Sequence, residues 1–280
     1  MPWRHRFTRV VLVVAGLLVS CSSDSSEGAR TTIPNSTTTA VAPTYSAEVV
    51  EESDVDPSYR QGLARVDGGW IFSVNDGLFL TDDALKQTAT LTPAIPDEWK
   101  ARGFDHIGDV DVAKGVLYAS LEQPDYERGQ QAMLTYDAAT LAYTGGSEVA
   151  QHHNSFVTVD PSTGIAYSMD RFGGDALVRY DVDDNWTVLE PLKMSTFVDR
   201  VQGADVHGGA VWLSTDDATE GVYRVDLESG KVDALGSIGY VDGEGEGIDA
   251  TPLANGDLHV LSIDANVATV RLIELQVEAS

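Results

Sequence analysis

Along most of this chain, hydrophobic and polar positions alternate in short runs separated by turns rich in Gly, Asp and Asn. Ala176-Leu177-Val178-Arg179-Tyr180-Asp181 and Gly221-Val222-Tyr223-Arg224-Val225-Asp226 show the alternation most plainly. A period of two predicts half-buried β-strands, and no long segment of helical period interrupts them. One kind of run recurs. It is hydrophobic, ends in serine, and has a polar residue, usually acidic, two positions further on. The copies end at Ser73, Ser120, Ser168, Ser214 and Ser262, which are 47, 48, 46 and 48 residues apart. A fixed spacing of that size marks a repeat architecture.

Each repeat divides into four strands. A small residue opens the first, at Gly62, Gly108, Ser155, Gly203 and Gly247. A turn such as Asp67-Gly68-Gly69, Lys114-Gly115 or His207-Gly208-Gly209 follows, where glycine supplies the positive φ of a tight hairpin. The serine-ended run is the second strand and the alternating run the third. Four-stranded units of roughly 40–50 residues predict an all-β fold, a β-propeller, because a sheet apolar on both faces is buried only between neighbours. The count predicts five blades over residues 46–280, with six as the alternative if one blade is strongly divergent. The fifth repeat stops after its third strand. Ser46 to Glu51 has strand character and is expected to supply the missing outer strand, closing the ring and protecting an edge.

The first residues have a different pattern. Arg4, Arg6 and Arg9 precede an apolar run from Val10 to Val19, and Leu18-Val19-Ser20-Cys21 closes it. This predicts a secretory signal peptide over 1–20, too short for a stable membrane span. Its ending resembles the bacterial lipobox, which implies that Cys21 becomes the first residue and carries the lipid. Ser22 to Ala47 holds twelve Ser or Thr and two prolines, so residues 21–45 are expected to form a disordered tether. The protein is then extracytoplasmic and lipid-anchored to the bacterial cell membrane without crossing it. Cys21 is the only cysteine, which excludes a disulfide within one chain and a thiolate zinc cluster.

Charge narrows the partners. Residues 1–20 hold three Arg and no acid, so the mature chain carries 15 basic and 44 acidic residues, net −29. A nucleic-acid partner is excluded, because phosphate backbones require a basic footprint. Cations, cationic ligands and neutral ligands fit better, and a monomer binding an unknown ligand or protein is expected.

Val222-Tyr223-Arg224-Val225-Asp226-Leu227-Glu228-Ser229-Gly230-Lys231 resembles the blade hairpin of NHL- and YVTN-type bacterial propellers, which implies the fold alone. Gly245-Glu246-Gly247-Ile248-Asp249 is similar to the strand start of secreted esterase-like phytase propellers. That likeness is short and implies no catalytic residue here.

In a propeller the first strand lines the channel, and the end of the second lies on the face where the first begins. One rim should therefore collect the residues that open the inner strands and the residues that follow each serine. Candidate ligand-binding residues are His106, Asp109, His153, Asn154, Arg200, Glu244 and Glu246, most of which break the repeat. Crowded carboxylates beside His106 or His153 would suit acid–base chemistry, with those histidines as the catalytic candidates. Glu122, Asp170, Asp216 and Asp264 are candidate calcium ligands, calcium being a hard cation that takes oxygen donors. The competing expectation is that each acid caps its own loop, since repeated residues commonly serve the repeat. Function is thus expected to be ligand or partner binding at the rim, with a metal-assisted hydrolase as the alternative. The long connection Gln123 to Gln131, carrying Tyr126, belongs to the same rim.

Overall fold

A computed structural model describes residues 43–239, 243–251, 257–264 and 268–280. The signal peptide, Cys21 and nearly all of the tether lie outside the described residues.

The chain enters the fold as β1 (Tyr45–Val55), then builds four complete blades. Blade 1 is β2 (Leu63–Val66), β3 (Gly69–Val74), β4 (Gly77–Asp82) and β5 (Gln87–Leu91). Blade 2 is β6 (His106–Ala113), β7 (Val116–Glu122), β8 (Gln131–Asp137) and β9 (Tyr143–Val149). Blade 3 is β10 (Thr158–Val159), β11 (Ile165–Ser168), β12 (Gly174–Asp181) and β13 (Thr187–Val198). Blade 4 is β14 (Val201–His207), β15 (Ala210–Thr215), β16 (Gly221–Asp226) and β17 (Val232–Ser237). Blade 5 is β18 (Gly243–Asp249), β19 (Asp257–Asp264) and β20 (Thr269–Ala279), with β1 as its outer strand. The protein is a five-bladed β-propeller of antiparallel four-stranded sheets.

The closing strand is the one the sequence predicts, and it is longer. Tyr45 to Val55 pairs with β20 from Tyr45↔Ala279 to Val55↔Val270, with a bulge between Val49 and Glu51. Thr44 and Ser280 exchange backbone hydrogen bonds of 3.0 and 2.9 Å, so the two ends of the described chain meet. They meet on the face opposite the rim, because β20 runs away from the rim and β1 runs back towards it.

In blades 2, 4 and 5 the small residue of the repeat marks a close approach rather than the start of a strand. β6, β14 and β18 each begin before it, and the ladder shifts register around it, at Ile107/Val110, Val201/Gly203 and Gly245/Ile248. The inner strands of adjacent blades converge there. A Cβ on Gly203 would lie 2.5 Å from the Glu246 carbonyl oxygen and 2.6 Å from Gly247 Cα. One on Gly247 would lie 2.5 Å from Asp109 Oδ1. No side chain fits at these positions.

Three of the five repeated serines fasten blades together. Ser73 Oγ donates to the Gly108 carbonyl at 2.7 Å, Ser120 Oγ to the Ser155 carbonyl at 3.0 Å, and Ser214 Oγ to the Glu246 carbonyl. Each bond runs from a second strand to the inner strand of the next blade. Ser168 Oγ instead bonds Phe156 within its own blade. The aromatic residues preceding the serines fill the spaces between blades: Trp70 packs on His259, Tyr118 on Trp186 and Trp212 on Tyr45.

Candidate functional site

The rim cluster is assembled from blades 2 and 3. The register of β6 on β7 sets His106 opposite Glu122. The loop after Glu122 folds back through two buried glutamines. Gln131 Oε1 accepts from Gln123 N at 2.9 Å, and Gln131 Nε2 donates to the His152 carbonyl at 2.8 Å. This clasp sets the single turn Tyr126–Arg128 over the end of β7, with the Tyr126 ring 4.9 Å from that of His153. From blade 3, Asp170 fixes the approaching backbone. Its Oδ1 accepts from His152 N at 2.7 Å, and its carbonyl accepts from His153 N at 3.1 Å. Asn154 N then donates to Glu122 Oε1 at 2.7 Å, and His153 Nδ1 lies 3.3 Å from the same oxygen. Phe172, two residues past Asp170, covers His153 with ring centroids 3.5 Å apart.

The result is a buried carboxyl and a buried imidazole beneath two accessible aromatic rings. Glu122 and His153 are each 4% exposed, whereas Tyr126 is 37% and Phe172 42% exposed. Burial pushes the Glu122 carboxyl up to about 7, against the Asn154 N–H and the Tyr126 hydroxyl, which favour its ionised form. Burial and the neighbouring His106 push His153 down to about 4. At neutral pH the imidazole is therefore uncharged while Glu122 exchanges its proton. His153 Nδ1 and Asn154 Oδ1 are buried without a hydrogen-bond partner. His106 is held at both nitrogens: Asn75 Nδ2 donates to Nδ1 and Nε2 donates to Gln61 Oε1, each at 2.8 Å. That fixes the neutral Nε2–H tautomer, consistent with a pKa lowered by burial.

A second set of buried acids lines the channel. Asp111 Oδ2 accepts from Val159 N at 2.7 Å and from Thr158 Oγ1 at 3.0 Å. Thr158 Oγ1 accepts from Val206 N at 2.8 Å, Asp205 Oδ2 from Ala250 N at 2.6 Å, and Asp249 Oδ2 from Arg65 N at 2.6 Å. Each blade from the second to the fifth thus accepts a backbone proton from the next. Asp109 reaches across the neck to Leu63 N at 3.3 Å and Ala204 N at 2.9 Å. Burial raises the pKa of Asp109, Asp111 and Asp205, and takes Asp249 to about 7.

The sequence candidates therefore separate. His106, Glu122, His153 and Asn154 come together. Asp109 is a crosslink of the neck. Glu246 is buried beside it and raised well above the ordinary carboxylate range, by burial and then by Glu244, Asp216 and Asp109. Glu244 is exposed. Arg200 is occupied by Asp216, to which its guanidinium bonds directly. The four candidate calcium ligands do not converge. Glu122 is held by Asn154, Asp170 by the His152 and His153 backbone, Asp216 by Arg200, and Asp264 lies 3.7 Å from Arg271. Among the described residues, no three His, Cys, Asp or Glu side chains form a group that could hold a metal ion. Nor do these carboxylates cap their own loops: Glu122 and Asp170 accept from backbone N–H groups distant in sequence, and Asp216 and Asp264 lie against arginine side chains.

Asp111, Thr158, Asp205 and Asp249 escape a reading centred on the rim, although their spacings of 47, 47 and 44 repeat with the blades. Phe172 escapes it for another reason: a lone aromatic in a Gly- and Asp-rich turn carries no pattern.

No protein-family model and no curated protein matches the chain. Among solved structures, it is similar to a luciferin-regenerating enzyme, with a TM-score of 0.50 and 12% identity over 78% of this chain and 77% of the other. At that identity the likeness is one of fold.

Proposed function

We propose that this protein is a lipid-anchored, extracytoplasmic binding propeller whose ligand site is the rim cluster of His106, Glu122, His153 and Asn154 under Tyr126 and Phe172. One observation carries the reading: an ionisable carboxyl and an unpartnered imidazole nitrogen lie buried directly beneath accessible aromatic rings. A carboxylate walled by aromatic faces suits a ligand bearing a positive group, through charge and cation–π attraction together. The anchor rests on the lipobox-like Leu18-Val19-Ser20-Cys21.

Choline is a suitable probe, because its quaternary ammonium needs both kinds of contact. Millimolar choline should raise the unfolding temperature of the full chain by mass action, and Glu122→Gln or Phe172→Ala should abolish the rise. An equal rise in all three proteins removes the rim from the reading.

Glu122, titrating near neutrality beside two neutral histidines, favours acid–base hydrolysis as a second reading. A screen on phosphate esters, lactones and glycosides should then show an activity lost in both Glu122→Gln and His153→Ala. Activity that survives both changes eliminates it.

A further inference from the structure

A large cleft lies away from the rim. It opens on the opposite face, where blade 1 lies between blades 5 and 2, and has a volume of about 1280 Å³. Blade 1 beside it is small, with no strand longer than six residues. β1 and β20 each run eleven residues, and they wall the cleft from the blade 5 side.

The lining combines two kinds of surface. Val66, Leu80, Leu85 and Val112 leave apolar area half-covered along the cleft. Glu51, Asp67, Asp83, Asp137 and Glu274 bring five carboxylates to it. Against them stands one permanent cation, Arg65, which lies over the Trp70 ring at 4.7 Å and is paired with Asp83 at 2.6 Å. His259 adds no charge at neutral pH, because burial holds it near 4, and its buried Nδ1 has no hydrogen-bond partner.

We propose that this cleft is a second binding site, which docks a basic, amphipathic peptide segment of a partner protein. Apolar side chains of the segment cover Val66, Leu80, Leu85 and Val112, while its lysines or arginines meet Glu51, Asp67, Asp137 and Glu274. Charge selects the occupant. A second copy of this chain, net −26, would be repelled. The chain's own residues 22–42 contain Asp24, Glu27 and one Arg30, so they offer no complementary charge. The volume is larger than a typical small-molecule pocket and suits a chain segment.

The probe is a fluorescent ten-residue peptide of alternating lysine and leucine, titrated onto the full chain by anisotropy at low and physiological salt. Binding should weaken at least tenfold in the double variant Glu51→Lys/Asp67→Lys, two exposed positions whose replacement leaves the core intact. It should change less than twofold in Glu228→Lys/Glu278→Lys, two exposed acids away from the cleft. Hydrogen exchange with bound peptide should show protection over residues 63–85 and 270–276 and none over 122–131. Equal weakening in both double variants would reduce the effect to attraction by a polyanion and overturn the proposal. Protection confined to the rim, or no binding at low salt, would overturn it as well.

Discussion

The channel and the rim both bury carboxyl groups whose pKa is pushed towards neutrality, yet they use them differently. In the channel, Asp111, Asp205 and Asp249 each accept a backbone N–H from the neighbouring blade, and the pattern repeats around the ring. At the rim, Glu122 accepts from Asn154 of the next blade but also lies 3.3 Å from a His153 nitrogen that makes no hydrogen bond, beneath exposed aromatics. Desolvation causes the shift in both places. A perturbed carboxyl therefore does not by itself mark a site. What singles out the proposed rim site is a perturbed carboxyl whose neighbours break the repeat and leave a face open.

The largest effect should come from closing the neck. Gly203→Val places branched carbons where a single Cβ already meets backbone, and no flexible side chain can give way. A loss of about 3 kcal/mol or more, or failure to fold, is expected by urea unfolding. A near-neutral result would mean that the blades do not converge there.

A smaller, pH-dependent effect should come from the channel acids. Their folded pKa is raised above the unfolded value, so the folded state holds protons that the unfolded state releases. Their contribution to stability is fully present below the ordinary carboxylate range and is lost as pH rises through the folded values, near 7 for Asp249. His153 and His259 oppose this only at lower pH, because their folded values near 4 lie below the unfolded one and both states are neutral above about 6.5. Thermal stability should therefore fall as pH rises from about 4 towards 7, most plainly above about 6.5 where the histidines no longer oppose it, and level off by about pH 8. Asp205→Asn keeps an acceptor for Ala250 N without the charge, and should raise the midpoint at pH 8 by about 1 kcal/mol equivalent while changing little at about pH 3, where the carboxyl is protonated in both states. The same gain at both pH values would contradict the assignment.

At the small end, Phe172→Ala should alter stability by less than about 1 kcal/mol, because the residue is already 42% exposed. A large loss would make Phe172 part of the core rather than of an open site.

The blade count and the closing strand were legible because each rests on a period that many residues share. The candidate site was legible in part. His106, His153 and Asn154 stood out by breaking the repeat, and Glu122 by following its serine. Their convergence was not legible, because it depends on the His106–Glu122 register and on the glutamine clasp that brings Tyr126 inward. The calcium ring failed for a related reason. One acid per blade sets equivalent positions around an axis, and equivalent positions in a ring stay apart unless something draws them together.

The most direct test is a carbon-13 NMR titration of the side-chain carboxyls in the full chain, with and without choline. The resonance missing in Glu122→Gln should titrate near pH 7 and shift to lower pH with choline, since a nearby cation favours the ionised form. The resonance missing in Asp205→Asn should keep its titration unchanged. A Glu122 resonance indifferent to choline, or an Asp205 resonance that follows it, would contradict the division between an open rim and a closed channel.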